Sequence, residues 1–376
     1  MAELTLQVCV MMLLLAISYK CKHSRVLLFF ICIMTFIMIA FSFDSADLEN
    51  YRRAYDFDIY MGKDPLYFIF QELIHSTGAK FEFFKMLIGT IMTVLFLSSI
   101  FRYTEHRELL LSLCLFIPVS NSFATQIRSG LAGCIIILAL TYLFANNMKS
   151  KIIYLVLVVM ASFIHQMSLF YIILIIPVIL KDTKRFIYFT RVCIFIVTIF
   201  MINAGSIITD FADFISSQSW TNSYLSILVF RMKQMFTGEF KSTLLGFAFN
   251  ALFHSILYYC AEVSLIQQSK IMRLELPYKE WSKIDLIRGV NCLLLAFIPL
   301  YAISFHFVRA FYYAVPFLCA STFNSIYAVR KVRRLNSYGQ IRVLLVIGVI
   351  IFVYFWGILQ EPADTFRLVK SYFEVR

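Results

Sequence analysis

The sequence predicts an all-α protein that crosses a membrane about twelve times. Of its 376 residues, 61% are hydrophobic and 15% are charged, a balance that a water-soluble fold cannot bury. Apolar runs long enough to cross about 30 Å of hydrocarbon recur along the whole chain. Because backbone in lipid must satisfy its own hydrogen bonds, these runs are expected to be helices. We therefore expect a single integral membrane domain over residues 1–376.

The predicted crossings are apolar segments joined by polar connections. In order they are Leu4–Ser18, Val26–Phe43, Phe83–Phe101, Leu109–Phe123, Gly130–Ala145, Ile152–Ile164, Met167–Leu180, Phe186–Ile202, Leu244–Ile266, Val290–Phe305, Ala310–Tyr327 and Val343–Leu359. The first segment has neither the basic residue that precedes the apolar region of a signal peptide nor the small-residue cleavage site that follows it. It is therefore expected to be a retained helix.

Basic residues decide the predicted orientation, because short cytoplasmic loops collect lysine and arginine. When every predicted span is crossed, the basic clusters fall on one side: Lys20, Lys22, Arg25, Lys149, Lys151, Lys181, Lys184, Arg185, Lys270, Arg273, Arg330, Lys331, Arg333 and Arg334. That side is predicted to be cytoplasmic. Both termini and the two long loops, residues 44–82 after the second span and 203–243 after the eighth, are then outside. The net charge of +12 is interpreted as a topology signal, not as a nucleic-acid surface.

The stretch ASFIHQMSLF, residues 161–170, places His165 inside an otherwise apolar run. A single helix across this run would move the later cluster VRKVRR to the outer side, against the charge rule. We therefore predict a broken pair of helices that turns near His165 at the outer face. A histidine at a helix end is usually a satisfied structural residue, and a catalytic role is the alternative.

The first outer loop contains carboxylates beside a predicted surface helix at Ser45–Tyr55. A stripe at helical spacing supports this helix: Leu48, Tyr51 and Tyr55. In one interpretation Asp44 is the N-cap of the helix. In the other, Asp44 or Asp47 is a general base or an acceptor for substrate hydroxyls. Asp64 and the proline after it mark a turn before the next apolar run.

Arginines stand at the outer ends of two later spans. Arg128 lies in NSFATQIRSGLAG, where glycines allow close helix approach, and Arg309 lies with Tyr312 in SFHFVRAFYYAVP. In the second long loop, Arg231 lies on a predicted amphipathic helix. Such residues commonly anchor helices at the membrane surface, and a guanidinium fork also suits a pyrophosphate. Both interpretations stay open at this point.

Motifs for several other kinds of chemistry are missing from the sequence. It has no Walker motif, no HExxH, no paired CxxC, no haem signature and no GxSxG elbow, so neither a metal nor a cofactor is expected. Few ionisable residues lie deep in the predicted spans, and Arg191 and Glu262 are the main examples. Ion-coupled transport is therefore disfavoured.

The order of these motifs resembles the EpsG family of bacterial polysaccharide polymerases, which is related in role to the Wzy O-antigen polymerases. The matching steps are D-x6-Y-x3-Y at Asp44–Tyr55, D-P-L-Y at Asp64–Tyr67, R-x-x-L-A at Arg128–Ala132, F-x-H at Phe163–His165 and R-x-x-Y at Arg309–Tyr312. The family usually has an arginine just before the first-loop aspartate, where this chain has Phe43. The key acid of the loop is therefore open among Asp44, Asp47 and Asp64.

The resemblance implies a membrane glycosyltransferase with a GT-C-like core, located in the bacterial plasma membrane. It would join undecaprenyl-pyrophosphate-linked oligosaccharide repeat units en bloc at the outer face, with a chain-length regulator of the polysaccharide co-polymerase type as partner. The residues suit that reaction, because Arg128 and Arg309 can stabilise the departing pyrophosphate while Asp44 or His165 acts as base. Further substrate-binding candidates are Tyr51, Tyr55, Asp64, Arg231 and Tyr312.

Two alternatives use the same lipid-linked substrate. A flippase for lipid-linked oligosaccharides would favour two similar halves and a charged central cavity, whereas here the halves differ and the candidate residues share one face. An O-antigen ligase-type transferase would also use outer arginine and histidine residues. The order of the first-loop aspartate and the R-x-x-L-A step favours the polymerase.

Overall fold

The protein is described from a computed structural model that covers most of the chain. The described residues are 2–21, 23–57, 59, 64–145, 147–180, 183–203, 210, 214, 243–275, 278–304, 306–332, 337–360 and 362–371. All regular structure within these ranges is helical. The predicted all-α class is confirmed.

The helices follow one another with short connections. In chain order they are α1 (Ala2–Lys20), α2 (Arg25–Ala40), α3 (Ala46–Asp56), α4 (Pro65–His75), α5 (Phe81–Tyr103), α6 (Arg107–Cys114), continued by a π-helical segment (Leu115–Phe123), α7 (Ile127–Leu143), α8 (Met148–Ile164), a 3-10 segment (Gln166–Ile175), α9 (Ile176–Ile179), α10 (Thr183–Asn203), α11 (Leu244–Glu275), α12 (Tyr278–Leu294), α13 (Phe297–Tyr301), α14 (His306–Tyr312), α15 (Val315–Val332), α16 (Ser337–Gln360) and α17 (Pro362–Ser371).

Six of the described helical segments are long and apolar enough to cross a membrane. They are Ala2–Lys20, Phe81–Tyr103, Lys184–Ile202, Leu244–Ile271, Lys283–Tyr301 and Tyr338–Gln360. Shorter apolar helices lie between them, at Arg25–Ala40, Ile127–Leu143 and Gln166–Ile179. The chain is thus a membrane-embedded helical protein, and the count of twelve crossings stays a prediction.

Several predicted spans differ in detail from the helices that form, and two of them are interrupted near the C-terminal part of the bundle. The span predicted at Val290–Phe305 begins much earlier, at Tyr278, and is interrupted after Leu294 before the short helix α13. The span predicted at Ala310–Tyr327 is divided between α14 and α15. In the second case Pro316 explains the break, because proline fits the first turn of a helix but not its interior.

The centre of the bundle is α7, which packs against α5 and α8. Most of its residues are buried, including the glycines expected to allow close approach. A Cβ atom on Gly133 would lie 2.5 Å from the ring of Tyr313, so only glycine fits there. The Tyr313 hydroxyl in turn shares a hydrogen bond of 2.5 Å with the Ser129 hydroxyl. The start of α7 is therefore locked against the segment between α14 and α15.

The chain folds back at His165, as predicted. His165 is extended, with φ −154° and ψ 112°, between α8 and the 3-10 segment. The Tyr154 hydroxyl on α8 donates a hydrogen bond to the carbonyl of Tyr171 on the returning segment. The Tyr171 hydroxyl donates to the Ala310 carbonyl at 2.7 Å, which ties this hairpin to α14.

Candidate functional site

A cavity of about 430 Å³ lies between α3, the connection before α7, α14 and the last two helices, α16 and α17. The residues that line it come from α1, α3, the π-helical segment, the connection before α7, α11, α14, α16 and α17: Gln7, Ser45, Asp47, Ser120, Thr125, Gln126, Thr243, Gly246, Phe249, Asn250, Val308, Arg309, Tyr312, Val353, Tyr354, Trp356, Gly357, Ile358, Gln360, Thr365, Leu368 and Val369. A cavity of this size, lined by both apolar and polar side chains, can hold a ligand.

Helix α3 presents its carboxylates to this region because of how it starts. Ser45 is the N-cap, with its hydroxyl accepting a hydrogen bond from the amide of Leu48 at 3.2 Å. The interpretation of Asp44 as the N-cap is therefore wrong, since its neighbour already occupies that position. Leu48 and Tyr55 are buried in the core, so the face that carries Asp47 and Tyr51 is directed towards arginines of other helices.

Arg309 on α14 pairs with Asp47 on α3. The guanidinium Nη1 lies 3.7 Å from the Asp47 carboxylate, and the two side chains remain 32% and 41% exposed. Both residues line the cavity, together with Tyr312 one turn after Arg309. A cation and a carboxylate thus stand side by side in the cavity wall and stay accessible to a ligand.

Arg128, at the start of α7, is held more tightly, beside Tyr51, which lies one helical turn after Asp47 on α3. Its Nη1 lies 2.7 Å from the Asp64 carboxylate, and its guanidinium carbon lies 5.3 Å from the centre of the Tyr51 ring and 5.9 Å from that of Tyr67. The Asp64 side chain is only 6% exposed. Asp64 adopts φ +62°, a left-handed conformation that aspartate tolerates, directly before Pro65 opens α4. The turn predicted at Asp64 therefore positions its carboxylate to pair with Arg128.

Burial around this pair also affects the neighbouring phenol. The pKa of Tyr67 is raised well above its ordinary value, chiefly because burial disfavours the phenolate. The phenol therefore stays neutral, and its ring supplies an apolar and π-rich face beside the guanidinium of Arg128.

The C-terminal helix α17 closes one side of the same region. Arg367 pairs with Asp44 at 3.0 Å and with Glu49 at 3.6 Å, and all three side chains are about half exposed. The next two residues of α17, Leu368 and Val369, are buried and line the cavity. The stretch PADTFRLVKS has the amphipathic pattern of a surface helix, a signal that was available in the sequence.

Several predicted site residues lie outside the cavity lining. The Tyr55 hydroxyl donates to the Ala79 carbonyl at 2.7 Å, and burial raises the pKa of this phenol. His165 lies at its hairpin turn. Arg128 pairs with Asp64 and packs against the rings of Tyr51 and Tyr67. Asp44 pairs with Arg367. Arg231 lies outside the described residues.

Two polar features were not predicted from the sequence. Neutral amides line the cavity at Gln7, Gln126 and Asn250. Lys85 is fully buried in the second turn of α5 and donates to the Ile39 carbonyl at 2.6 Å, so it caps the end of α2. The only sequence signal for the amides was the position of Gln126 beside Arg128, inside the quoted motif. Among the described residues, no group of three histidine, cysteine or carboxylate side chains can hold a metal ion.

Comparison with known proteins gives one match. The model of the EpsG family matches residues 25–370, which is most of the chain and includes the residues of α3, α4, α7 and α14 described above. No curated protein and no solved structure matches the chain.

Proposed function

Since this chain belongs to the EpsG family, we propose that it is a polysaccharide polymerase of the bacterial plasma membrane. In this proposal it joins oligosaccharide repeat units carried on undecaprenyl pyrophosphate, en bloc, at the outer face. The membrane core would be GT-C-like with about twelve crossings, and both termini would lie outside. The cavity beside α3 would then open at the outer face, where the lipid-linked units are presented.

The observation that carries the proposal is the placement of Arg309 and Asp47 side by side in the cavity wall, 3.7 Å apart. In the reaction, a hydroxyl oxygen of one repeat unit bonds to the anomeric carbon of the growing chain while the bond from that carbon to the lipid pyrophosphate breaks. The hydroxyl needs a base for its proton, and the departing pyrophosphate needs a cation. This pair supplies both groups.

Of the three first-loop acids, Asp47 is the best placed to act as the base. Asp44 is engaged by Arg367 at the surface, and Asp64 is engaged by Arg128 with little exposure. Asp47 alone of the three is in the cavity lining. We assign the proton transfer to Asp47, and the earlier candidates Asp44 and His165 become the alternatives to be tested beside it.

Arg309 is proposed to bind the pyrophosphate, with Tyr312 beside it as a hydroxyl donor. Arginine suits this task because its planar fork matches phosphate oxygens. Arg128 and Tyr51 are proposed to orient α3, so that Asp47 faces Arg309. No cofactor enters the scheme, because the lipid pyrophosphate is itself the leaving group. A chain-length regulator remains the expected protein partner.

The proposal is tested by reconstituting the purified protein in liposomes with the lipid-linked repeat units that accumulate when the gene is deleted in its host. The wild-type protein is expected to produce a ladder of longer lipid-linked chains. Asp47→Asn and Arg309→Ala should each slow the first extension by about 100-fold or more. The matched control is Arg53→Ala, an exposed arginine on α3 that pairs with Glu49.

Three results would contradict the proposal. Extension at the wild-type rate by Asp47→Asn would remove Asp47 as the base, and the same measurement on Asp44→Asn and His165→Ala would then find the residue responsible. Transbilayer movement of the lipid-linked units without any new glycosidic bond would replace the polymerase with a flippase. Transfer only to an acceptor that is not a repeat unit would indicate a ligase.

A further inference from the structure

The cavity wall beside the Arg309–Asp47 pair carries neutral hydrogen-bonding groups. They come from four parts of the chain: Gln7, Ser120, Gln126, Asn250 and Gln360. Among the described residues that line the cavity, Arg309 is the one cation and Asp47 the one anion. The cavity therefore combines one ion pair with an extended neutral, polar wall.

Two of these amides have buried carbonyl oxygens with no hydrogen-bond donor in the described structure. Gln7 and Gln126 are each 4% exposed, and the side-chain Oε1 of each lacks a partner. The Gln7 amide nitrogen reaches only the Met11 sulfur, at 3.7 Å. Gln126 stands at the N-cap position of α7 but makes no capping hydrogen bond with its side chain. Unpaired buried acceptors are unfavourable, so two of them on residues that line one cavity point to a ligand that donates hydrogen bonds.

An aromatic surface lies in the same wall. Trp356 on α16 stacks on Phe249 of α11, with ring centres 5.0 Å apart and planes inclined by 24°. Both residues line the cavity, and Asn250 follows Phe249 directly in the chain. Aromatic faces flanked by a few placed polar groups suit a ligand that has both apolar faces and polar edges.

We propose that this wall is a binding subsite for the neutral sugar rings of a repeat unit. In this assignment Gln7 and Gln126 accept hydrogen bonds from sugar hydroxyls, Asn250 adds a further amide, and Trp356 packs against one ring face. The inference rests on the proposed polymerase function, since it places the sugars beside the pair that would act on their linkage. The polyprenyl tail is not the occupant, because a hydrocarbon would leave the amide oxygens unpaired.

The test is direct binding, measured apart from polymerisation. The probe is the free repeat-unit oligosaccharide, released by mild acid from the lipid-linked units of the deletion strain. It is titrated by calorimetry into purified protein in nanodiscs. Gln7→Leu combined with Gln126→Leu is expected to weaken its binding by about tenfold or more, because two hydrogen bonds are lost. Trp356→Leu should also weaken it. Gln268→Leu, near the other end of α11 from Asn250, is the matched control and should bind as the wild type does.

A stability measurement guards against misfolding and adds a second criterion. If the two buried oxygens are kept for a ligand, their replacement by leucine removes an unpaired acceptor and should leave the unfolding temperature of the unliganded protein unchanged or higher. Loss of binding together with a lower unfolding temperature in both Gln7→Leu and Gln126→Leu would show that the amides support the fold, and would overturn the assignment.

The outcomes separate this inference from the proposed function. Oligosaccharide binding that depends on the amides, in a protein that extends no lipid-linked chain, would support the subsite and reject the polymerase. Normal extension by the amide and Trp356 variants, with unchanged dependence on substrate concentration, would reject the subsite and keep the polymerase. Inorganic pyrophosphate serves as a contrasting probe: its binding should require Arg309 and should not respond to Gln126→Leu.

Discussion

Two arginine clusters in this protein use similar residues in opposite ways. In the first cluster, on the lipid-embedded helices, Arg288 donates to the Glu262 carboxylate through Nη2 at 2.7 Å and through Nε at 3.2 Å. Arg191 reaches the same carboxylate at 2.9 Å. In the second cluster, at the cavity, Arg309 meets Asp47 across 3.7 Å, with both side chains about one-third exposed or more. The carboxylate of the first cluster is buried between two guanidinium groups, whereas the carboxylate of the second is accessible to a ligand.

The difference shows how function can be separated from structure among charged residues of a membrane protein. Glu262 is 6% exposed and joins α10, α11 and α12, since one carboxylate is shared by two guanidinium groups. Asp285, one turn before Arg288, pairs with it at 3.2 Å. A buried charge in a helical bundle is tolerated when it is fully paired in this way. Under the proposed function, the loosely paired Arg309 at the cavity exchanges its partner for a phosphate.

The largest expected effect is on stability, in the lipid-embedded cluster. Glu262→Gln leaves two arginines without their shared counter-charge, so the free energy of unfolding should fall by about 3 kcal/mol or more. The measurement is thermal unfolding in detergent. Glu72→Gln, at an exposed position on α4, is the control and should unfold at the wild-type temperature. An unchanged unfolding temperature for Glu262→Gln would mean that the cluster does not hold these helices together.

A smaller effect is expected at Arg128. Like the arginines of the first cluster it pairs with a buried carboxylate, and like Arg309 it contacts α3. Asp64→Asn and Arg128→Met should each destabilise the protein, and the double variant should lose less than the sum by about 1–3 kcal/mol, because the two residues act as one pair. The readout is the unfolding free energy of the four proteins. Strictly additive losses would mean that Arg128 acts independently of Asp64, and would return it to the group of candidate pyrophosphate-binding residues.

Much of the architecture followed from the sequence because hydropathy and charge act locally. The helix at Ser45–Tyr55, the turn at Asp64 and the fold-back at His165 each depend on residues within about one or two turns, as caps, prolines and charge clusters do. The fold-back is the clearest case, since the positive-inside rule alone required it. The breaks near α13 and α14 were missed because hydropathy continues across them unchanged.

The partners of charged residues could not be predicted from local sequence patterns. Glu262 and Arg288 are 26 residues apart, and Asp64 and Arg128 are 64 apart, so their pairing depends on how helices pack. The cavity amides carried no charge that would mark them in an apolar sequence. Lys85 was missed because it lies in an otherwise apolar helix, and its partner is a backbone carbonyl with no sequence signature. Local patterns identified which residues were unusual, and only the packing shows what each one contacts.

The smallest expected effect concerns Arg367, whose exposed ion pairs with Asp44 and Glu49 join α17 to the start of α3. Arg367→Ala should slow chain extension by less than about fivefold, because exposed pairs contribute little. The loss should disappear in about 1 M salt, where the Debye length is only about 3 Å and the wild-type pairs are screened as well. Extension rates at low and high salt, with Arg53→Ala as control, measure this. A salt-independent loss as large as that of Arg309→Ala would mean that Arg367 contacts the substrate, and the open cluster at the cavity would then contain two arginines instead of one.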